Sequence, residues 1–542
     1  MGSNEASFIA LAHFYKNGDM MTGWFRWWNG GMPVENTYMP LLPVITAAFS
    51  TVSGLDVWNA FHVVMAAIYC LQPVALFALL LWLGVSVHNA GLASTLFLLF
   101  SPSNLLFPVI GRDTGNLADL RRLYTIVFYG EGPHNLAILL IPLCLLLIWR
   151  VHIKPASGLR WALACFSCAL LFLSNAFGIT VLAIGLGCDL IAQNGWSWAR
   201  LVRTIGIVTL TYFLVSPVLT TEVLHTFRQL SATSGGDFRQ TSWSWAATAL
   251  VPVMLFVVRR LLRSSTPQQR FSMLFYLAIA AIPTLYYIWG LAIVPQPHRY
   301  HLETELGLMI LIAFALEWLQ RNADRVIWNT AMILIVAGCI AQFAHAIHFS
   351  REFIQGLDPA TTTQAQMAQW IGTNLPGERI MVSGDATFPF NLFADNSQLS
   401  GGHDTSSPNL TQLIAVFTIY TGMNAGSHDL ETSLTWLRAF GVKAVHVPSD
   451  SSYVQPYVNP REFEGVLPRL WSQQGHTLYE VQPGRTTLAH AIAPNLIVSQ
   501  PPIHGLDITK VEKYTAGIVG NDADLAMNLK TAVESEVSSR IG

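Results

Sequence analysis

Ten stretches of about 17–25 largely apolar residues follow one another, and each is long enough to cross a bilayer as a helix. They fall near 57–83, 90–107, 133–150, 159–175, 176–192, 204–221, 243–259, 271–294, 303–319 and 327–348. In lipid a chain must satisfy its own backbone donors and acceptors, which a helix does within one segment. The fold class expected is a polytopic α-helical membrane protein. Composition agrees: 52% of the 542 residues are hydrophobic and 11% charged, where a soluble domain carries about 25% charge. The formal net charge of −2 leaves no basic excess for a nucleic-acid partner.

The charges divide the chain. From Ser350 onward there are 11 Lys and Arg against 18 Asp and Glu; the first 349 residues hold 19 and 14. The sequence therefore reads as a first loop over 1–56, a membrane domain over 57–349, an α/β domain over 350–490 and an extension over 491–542. Within 350–490, helices are expected at 361–375 and 430–441, and strands at 378–384, 442–449 and 476–484. Helix–Gly–strand alternation is the pattern of a small α/β domain.

Basic loops set the direction. Arg150, Lys154 and Arg160, then Arg200 and Arg203, then Arg259, Arg260, Arg263 and Arg270, then Arg321 and Arg325 read as cytoplasmic. The alternate loops hold Glu5, Asp19, Glu35, Asp56, Asp113, Asp119, Glu131, Glu222, Asp237, Glu303 and Glu305 and read as outside. Both termini and the α/β domain then lie outside, at a plasma membrane. An external N-terminus needs an upstream helix to export it, so an eleventh span is expected. The six cysteines all lie in apolar runs, Cys165 and Cys168 included, and read as packing residues.

Three stretches carry chemistry-bearing residues. In the first loop, Phe8, Leu11, Ala12 and Tyr15 recur at helical spacing, so residues 4–16 are expected to form a helix along the interface. Glu5 sits in its first turn. Trp24, Phe25, Trp27 and Trp28 follow, as an aromatic belt or as a platform for sugar rings or a polyprenyl chain. In the second loop, Glu131 and His134 flank Gly132-Pro133 at the mouth of a span and suit acid/base work or metal ligation. Arg121 and Arg122 suit phosphate. In the third, His298, Arg299, His301, Glu303 and Glu305 cluster after two prolines, and Arg299 is suited to gripping a phosphate. His403-Asp404 on a Gly-rich loop is a weak signal. No H-E-x-x-H, Walker loop or G-x-S-x-G is present.

Together these features resemble the C-type glycosyltransferase superfamily. More narrowly they resemble bacterial multispan proteins of the 6-pyruvoyl-tetrahydropterin-synthase-related type. The residues that carry the likeness are Glu5-Ala6-Ser7-Phe8, Trp28-Asn29-Gly30-Gly31-Met32-Pro33, Tyr38-Met39-Pro40, Gly130-Glu131 and Gln296-Pro297-His298-Arg299. The resemblance implies a GT-C-like fold and transfer of a sugar from a polyprenyl-phosphate donor to a glycan, lipid or protein acceptor outside the cell. It implies Glu5 as general base, Glu131 as its assistant or as a metal ligand, and Arg299 on the donor phosphate, with His134 beside Glu131 as a further catalytic candidate from the residues themselves. His298, His301, Glu35, Tyr38 and Trp28 would complete the substrate site. No cofactor is fixed, with Mg²⁺ or Mn²⁺ left open. A non-catalytic envelope-polysaccharide assembly protein of the same fold and a lipid or solute transporter are the alternatives.

Overall fold

The computed structural model describes residues 3–18, 22–153, 157–195, 197–226, 241–354, 356, 358–402, 407, 409–422, 425, 429–452 and 457–482. Asp19, Lys154, Asp237, His403, Asp404 and the whole 491–542 extension lie outside the described residues. The chain divides into two compact units: residues 1–5 with 39–355, and residues 6–38 with 356–542.

The first unit is helical. After the opening turn of α1 (Ser3–Lys16) come α2 (Leu41–Ser53), α3 (Val57–Trp82), α4 (Val87–Leu99), α5 (Arg121–Val127), α6 (Gly132–Ile153), α7 (Gly158–Phe172), α8 (Ala176–Ala192) and α9 (Trp198–Val215). Next are α10 (Ser242–Leu261), α11 (Pro267–Trp289), α12 (His301–Asn322) and α13 (Arg325–Phe353). Apolar composition makes these helices and polar caps bound them. The Asp56 side chain accepts from the Asn59 backbone at 2.9 Å to start α3, and Thr266 with Gln269 forms a capping box on α11. Asn175 caps α8, so 158–192 is two helices with a sharp turn between them.

Each of the ten expected spans contains a helix. Six are long and apolar enough to cross a membrane: α3, α6, α9, α10, α11 and α13. The helices α4, α7 and α8 are shorter, and α12 carries Glu303, Glu305, Glu317 and Arg321. The run at 90–107 stops at Leu99, because Pro102 follows and short helices occupy Ser103–Leu106 and Pro108–Thr114. The sequence reading lacked α2, whose 13 residues fall below a full span. The helix α6 forms the core, with 72% of its apolar window buried against 6% for α13, whose Ile333, Leu334, Ile340 and Phe343 are exposed. Polar contacts hold α13, among them His345 Nε2 to Asp119 Oδ1 at 2.9 Å and Gln342 Nε2 to the Ala118 carbonyl at 2.5 Å.

The second unit is α/β. A short antiparallel pair joins β1 (Trp24–Phe25) to β2 (Met32–Pro33), and the unit's four-stranded sheet has the order β3 (Arg379–Met381), β4 (Val442–Val447), β6 (His476–Glu480), β5 (Arg469–Gln473). Strand β3 is parallel to β4 and the other pairs are antiparallel. Alternating side chains fill opposite faces. Ala444 and Leu478 pack with Met367 and Ile371 of α14 (Thr363–Asn374). Val445 and Tyr479 pack with Val416 and Ile419 of α15 (Leu410–Thr421), and with Trp436 and Leu437 of α16 (Asp429–Ala439). The helices expected at 361–375 and 430–441 and the three expected strands are all present; β5 and α15 were not foreseen.

Residues 6–38 pack into this unit. Backbone bonds join Asn29 to Ser400, Gly30 to Gln398 and Gln398 to Trp27 at 2.6–2.9 Å. This corrects two expectations. Helix α1 is not a one-faced interfacial helix: Phe8, Ile9, Ala10, Leu11 and Ala12 are all buried, so no face is left for water. Trp28 is not a platform, because it is fully buried beside Phe25 at a ring separation of 4.8 Å. Of the aromatic series only Trp24 is widely exposed.

Candidate functional site

The first turn of α1, the start of α3, the mouth of α6 and the loop into α12 bring ionisable side chains together. The first turn of α1 supplies Glu5, α3 supplies His62, the turn before α6 supplies Glu131, α6 supplies His134, and the loop into α12 supplies Arg299. Ionisable groups in such positions are costly unless paired.

The glutamate at position 5 is buried, and His62 Nε2 donates to its Oε1 at 2.5 Å. The backbone around it is pinned to the turn at 129–131. Asn4 Nδ2 donates to the Tyr129 carbonyl at 3.2 Å. Gly130 adopts φ 66, and a Cβ there would stand 2.5 Å from the Glu5 nitrogen. Glycine is thus required twice, for its left-handed backbone and for the close approach.

The next residue, Glu131, meets Arg299 Nη1 at 2.9 Å, and its other oxygen lies 3.9 Å from His134 Nδ1. His134 Nε2 donates to Glu303 Oε1 at 2.7 Å. The second oxygen of Glu303 is buried and has no hydrogen-bond partner among the described residues. Phe177 packs against all of this: its ring lies 4.9 Å from His134, 5.4 Å from Tyr300 and 5.7 Å from the Arg299 guanidinium. The Arg299 side chain is 36% exposed, so its charge faces outward while Glu131 holds it. Burial, with the Arg299 charge beside it, pushes the His298 imidazole down.

Deeper networks flank this cluster. Arg121 contacts Asp113 at 2.5 Å and donates from Nε to His301 Nε2 at 3.1 Å. His301 Nδ1 in turn donates to the His298 carbonyl at 2.7 Å, a pattern that only the neutral Nδ1–H imidazole can make. Tyr129 donates to Asp113 at 2.7 Å, and burial pushes its phenol up. Arg122 is almost wholly buried between Glu305 at 3.2 Å and Gln72 at 2.9 Å, over the Phe97 ring. It is committed there, so the phosphate role considered for it has no free guanidinium.

Of the residues singled out in sequence, the structure brings Glu131, His134, Arg299, His298 and His301 into one cluster and sets Glu5 against the same turn. Glu35 and Tyr38 are half-buried and, with Trp28, belong to the other unit. Sequence reasoning missed His62, Gln72 and Asn135. Each is a polar residue inside an apolar run, the signal that would have found it. No group of three His, Cys, Asp or Glu that could hold a metal occurs among the described residues. At the site the carboxylates of Glu5 and Glu131 already face His62 and Arg299, so the residues do not fit a metal and no step is routed through one.

No known family profile and no curated protein sequence matches the chain. Among solved structures, the chain is similar to arabinofuranosyltransferase AftD from mycobacteria. The TM-score is 0.51 at 13% identity, over 87% of this chain and 39% of that one. Two structures of an Archaeoglobus fulgidus oligosaccharyltransferase align at TM-score 0.47 over 82% of this chain. One holds Zn and sulfate (11% identity, 63% of that chain); the other, named AglB, holds an inhibitory peptide and a dolichol-phosphate (10%, 65%). The chain therefore spans well under half of AftD and just under two thirds of the oligosaccharyltransferase. The likeness to AftD, at 13% identity, shows a shared fold and nothing narrower.

Proposed function

We propose that this protein is a membrane glycosyltransferase that moves a sugar from a polyprenyl-phosphate donor to an extracytoplasmic acceptor. The observation that carries it is the Arg299–Glu131–His134 cluster standing against the same turn as buried Glu5, which His62 reaches from the exposed side. An outward guanidinium suits a phosphate whose negative charge grows as the glycosidic bond breaks. A buried carboxylate held by an imidazole suits a general base.

In the reaction, the donor phosphate displaces Glu131 from Arg299. The acceptor hydroxyl oxygen attacks the anomeric carbon, the bond from that carbon to the phosphate oxygen breaks, and the phosphate leaves with the electron pair. The acceptor proton passes to Glu5, and His62 orients the carboxylate. Glu131, freed from Arg299, is balanced by His134, itself anchored by Glu303. A single displacement inverts the anomeric configuration. His298 stands on the phosphate side, and His301, buried with both ring nitrogens bonded, holds the His298 carbonyl in place. The narrower 6-pyruvoyl-tetrahydropterin-synthase-related type rests on the sequence motifs alone, and a plasma-membrane location with the α/β unit outside rests on the loop charges.

The test is a transfer assay in nanodiscs with a panel of polyprenyl-phosphate sugars, following release of polyprenyl phosphate by mass spectrometry. Release that Glu5→Gln and Arg299→Ala both abolish supports the assignment. Release unchanged by either substitution removes that residue from the reaction, and no release from any donor by folded protein overturns the reading.

A further inference from the structure

The helical unit holds a second charged network, remote from Glu131 and Arg299. Helix α6 separates the two: Glu131 precedes it, His152 stands in its last turn, and its 22 residues run about 33 Å. That is close to the thickness of a hydrocarbon core, about 30 Å.

Arginines from three helices converge on the end of α8. Arg200 of α9 lies 3.5 Å from Asp189, in the last turn of α8. Arg259 of α10 donates to the Gln193 carbonyl at 2.9 Å. Arg270 of α11 donates from Nη2 to Asn194 Oδ1. Arg203, one turn along α9 from Arg200, donates to the Val151 and His152 carbonyls at 3.1 and 2.9 Å. His152 Nδ1 in turn lies 3.5 Å from Asp189.

Capping explains the positions, since cations suit the carbonyl end of a helix. It does not balance the charge. Four guanidinium groups share one carboxylate, Asp189, which is already divided between Arg200 and His152. Arg203, Arg259 and Arg270 form no ion pair among the described residues. Arg270 is the extreme case: it is 3% exposed, and its Nε is buried with no acceptor among the described residues. A buried charge without its counter-charge is costly, so the partner this network lacks is an anion.

We propose that Arg259 and Arg270, with Arg200 and Arg203 beside them, bind the phosphate of an anionic phospholipid headgroup. Guanidinium groups take phosphate oxygens in a bidentate fork, and basic pockets between transmembrane helices lodge such headgroups. Apolar surface adjoins the arginines and favours a lipid over a free anion. Val202 and Ile205 of α9 and Leu261 of α10 are widely exposed, so the acyl chains have a surface to lie on. A bound headgroup ties α9, α10 and α11 together at the end of α8.

The experiment uses the full chain, reconstituted with an equal mixture of phosphatidylglycerol and phosphatidylcholine, and counts retained lipid by native mass spectrometry. Phosphatidylglycerol should be retained over phosphatidylcholine at least about tenfold, the effect of one charge-assisted contact. Arg259→Gln, at a half-buried position, should abolish the preference. Arg270→Gln should do the same, with thermal unfolding reporting whether it folds; Arg259→Gln decides if it does not. Arg263→Gln, exposed between α10 and α11 and outside the network, should change nothing. No preference in wild type, a preference that folded Arg259→Gln keeps, or an equal loss in Arg263→Gln overturns the proposal. A final arm adds inorganic phosphate: retention that survives it supports a lipid site, and displacement of the lipid by phosphate overturns it in favour of a free anion. None of these readouts depends on sugar transfer.

Discussion

Gly130 can have no side chain, because the Glu5 backbone nitrogen occupies the space its Cβ would need. This contact places the start of α1 against the turn that carries Glu131. Gly130→Ala should push the two apart and strain a left-handed residue. The expected outcome is a fall in transfer rate of about 100-fold, the scale of a 1 Å misplacement at a reacting centre. Parallel melting curves should show that most of the protein stays folded; unchanged activity in the folded variant would separate the turn from catalysis.

The Arg299–Glu131 pair is open to water on its arginine side, 36% exposed against 14% for the glutamate, so its own contribution to stability should be small, about 0–1 kcal/mol. Its functional effect should be larger. Arg299→Ala should raise the donor KM at least about tenfold, the effect of losing a charge-assisted contact. A double-substitution cycle with Glu131→Gln, read by thermal unfolding, should give a coupling below about 1 kcal/mol.

Arg122 and Glu305 offer the opposite case. Both side chains are essentially inaccessible. Arg122→Met leaves a buried glutamate without its cation and should cost about 3–5 kcal/mol. Arg26→Met, which breaks the exposed pair with Asp395, should cost about 1 kcal/mol or less. Thermal melts of the two variants side by side test the contrast.

The stacked pair His446 and His476 makes the C-terminal unit acid-sensitive. Burial, and the charge of His476, push His446 down to about 3, while an unfolded histidine titrates near 6.5. Below pH 6.5 the unfolded chain takes up a proton that the folded one refuses. Stability is therefore full above that pH and is lost as pH falls from about 6.5 towards 3, at up to about 1.4 kcal/mol per pH unit. Melts between pH 7.5 and 5 should show this slope, and His446→Gln should flatten it.

The spans were legible because an apolar run long enough to cross lipid has few other uses. Direction of burial was harder to read. Phe8, Leu11, Ala12 and Tyr15 make a helical stripe, yet Ile9 and Ala10 fill the opposite face of α1, and a stripe found by looking at one face does not show that the other is covered. Trp28 could equally sit at a headgroup or in a core, because its chemistry suits both. Glu131, His134 and Arg299 were visible as charges at span mouths. Their pairing, and the partnership of Glu5 with His62 fifty-seven positions away, were set by packing that no local pattern encodes.

The span α13 leaves far more of its surface open than it packs against protein. At 29 residues it is about 44 Å long, against a hydrocarbon slab of about 30 Å. Lipid is as apolar as its side chains, so apolar surface alone does little to draw it inward beyond the Phe349 contact. It behaves as a mast stepped near its C-terminal end, by the Gln342 and His345 contacts and by Phe349 packed with Leu120 and Tyr124. Membrane thickness, acting on its free length, will govern its lean.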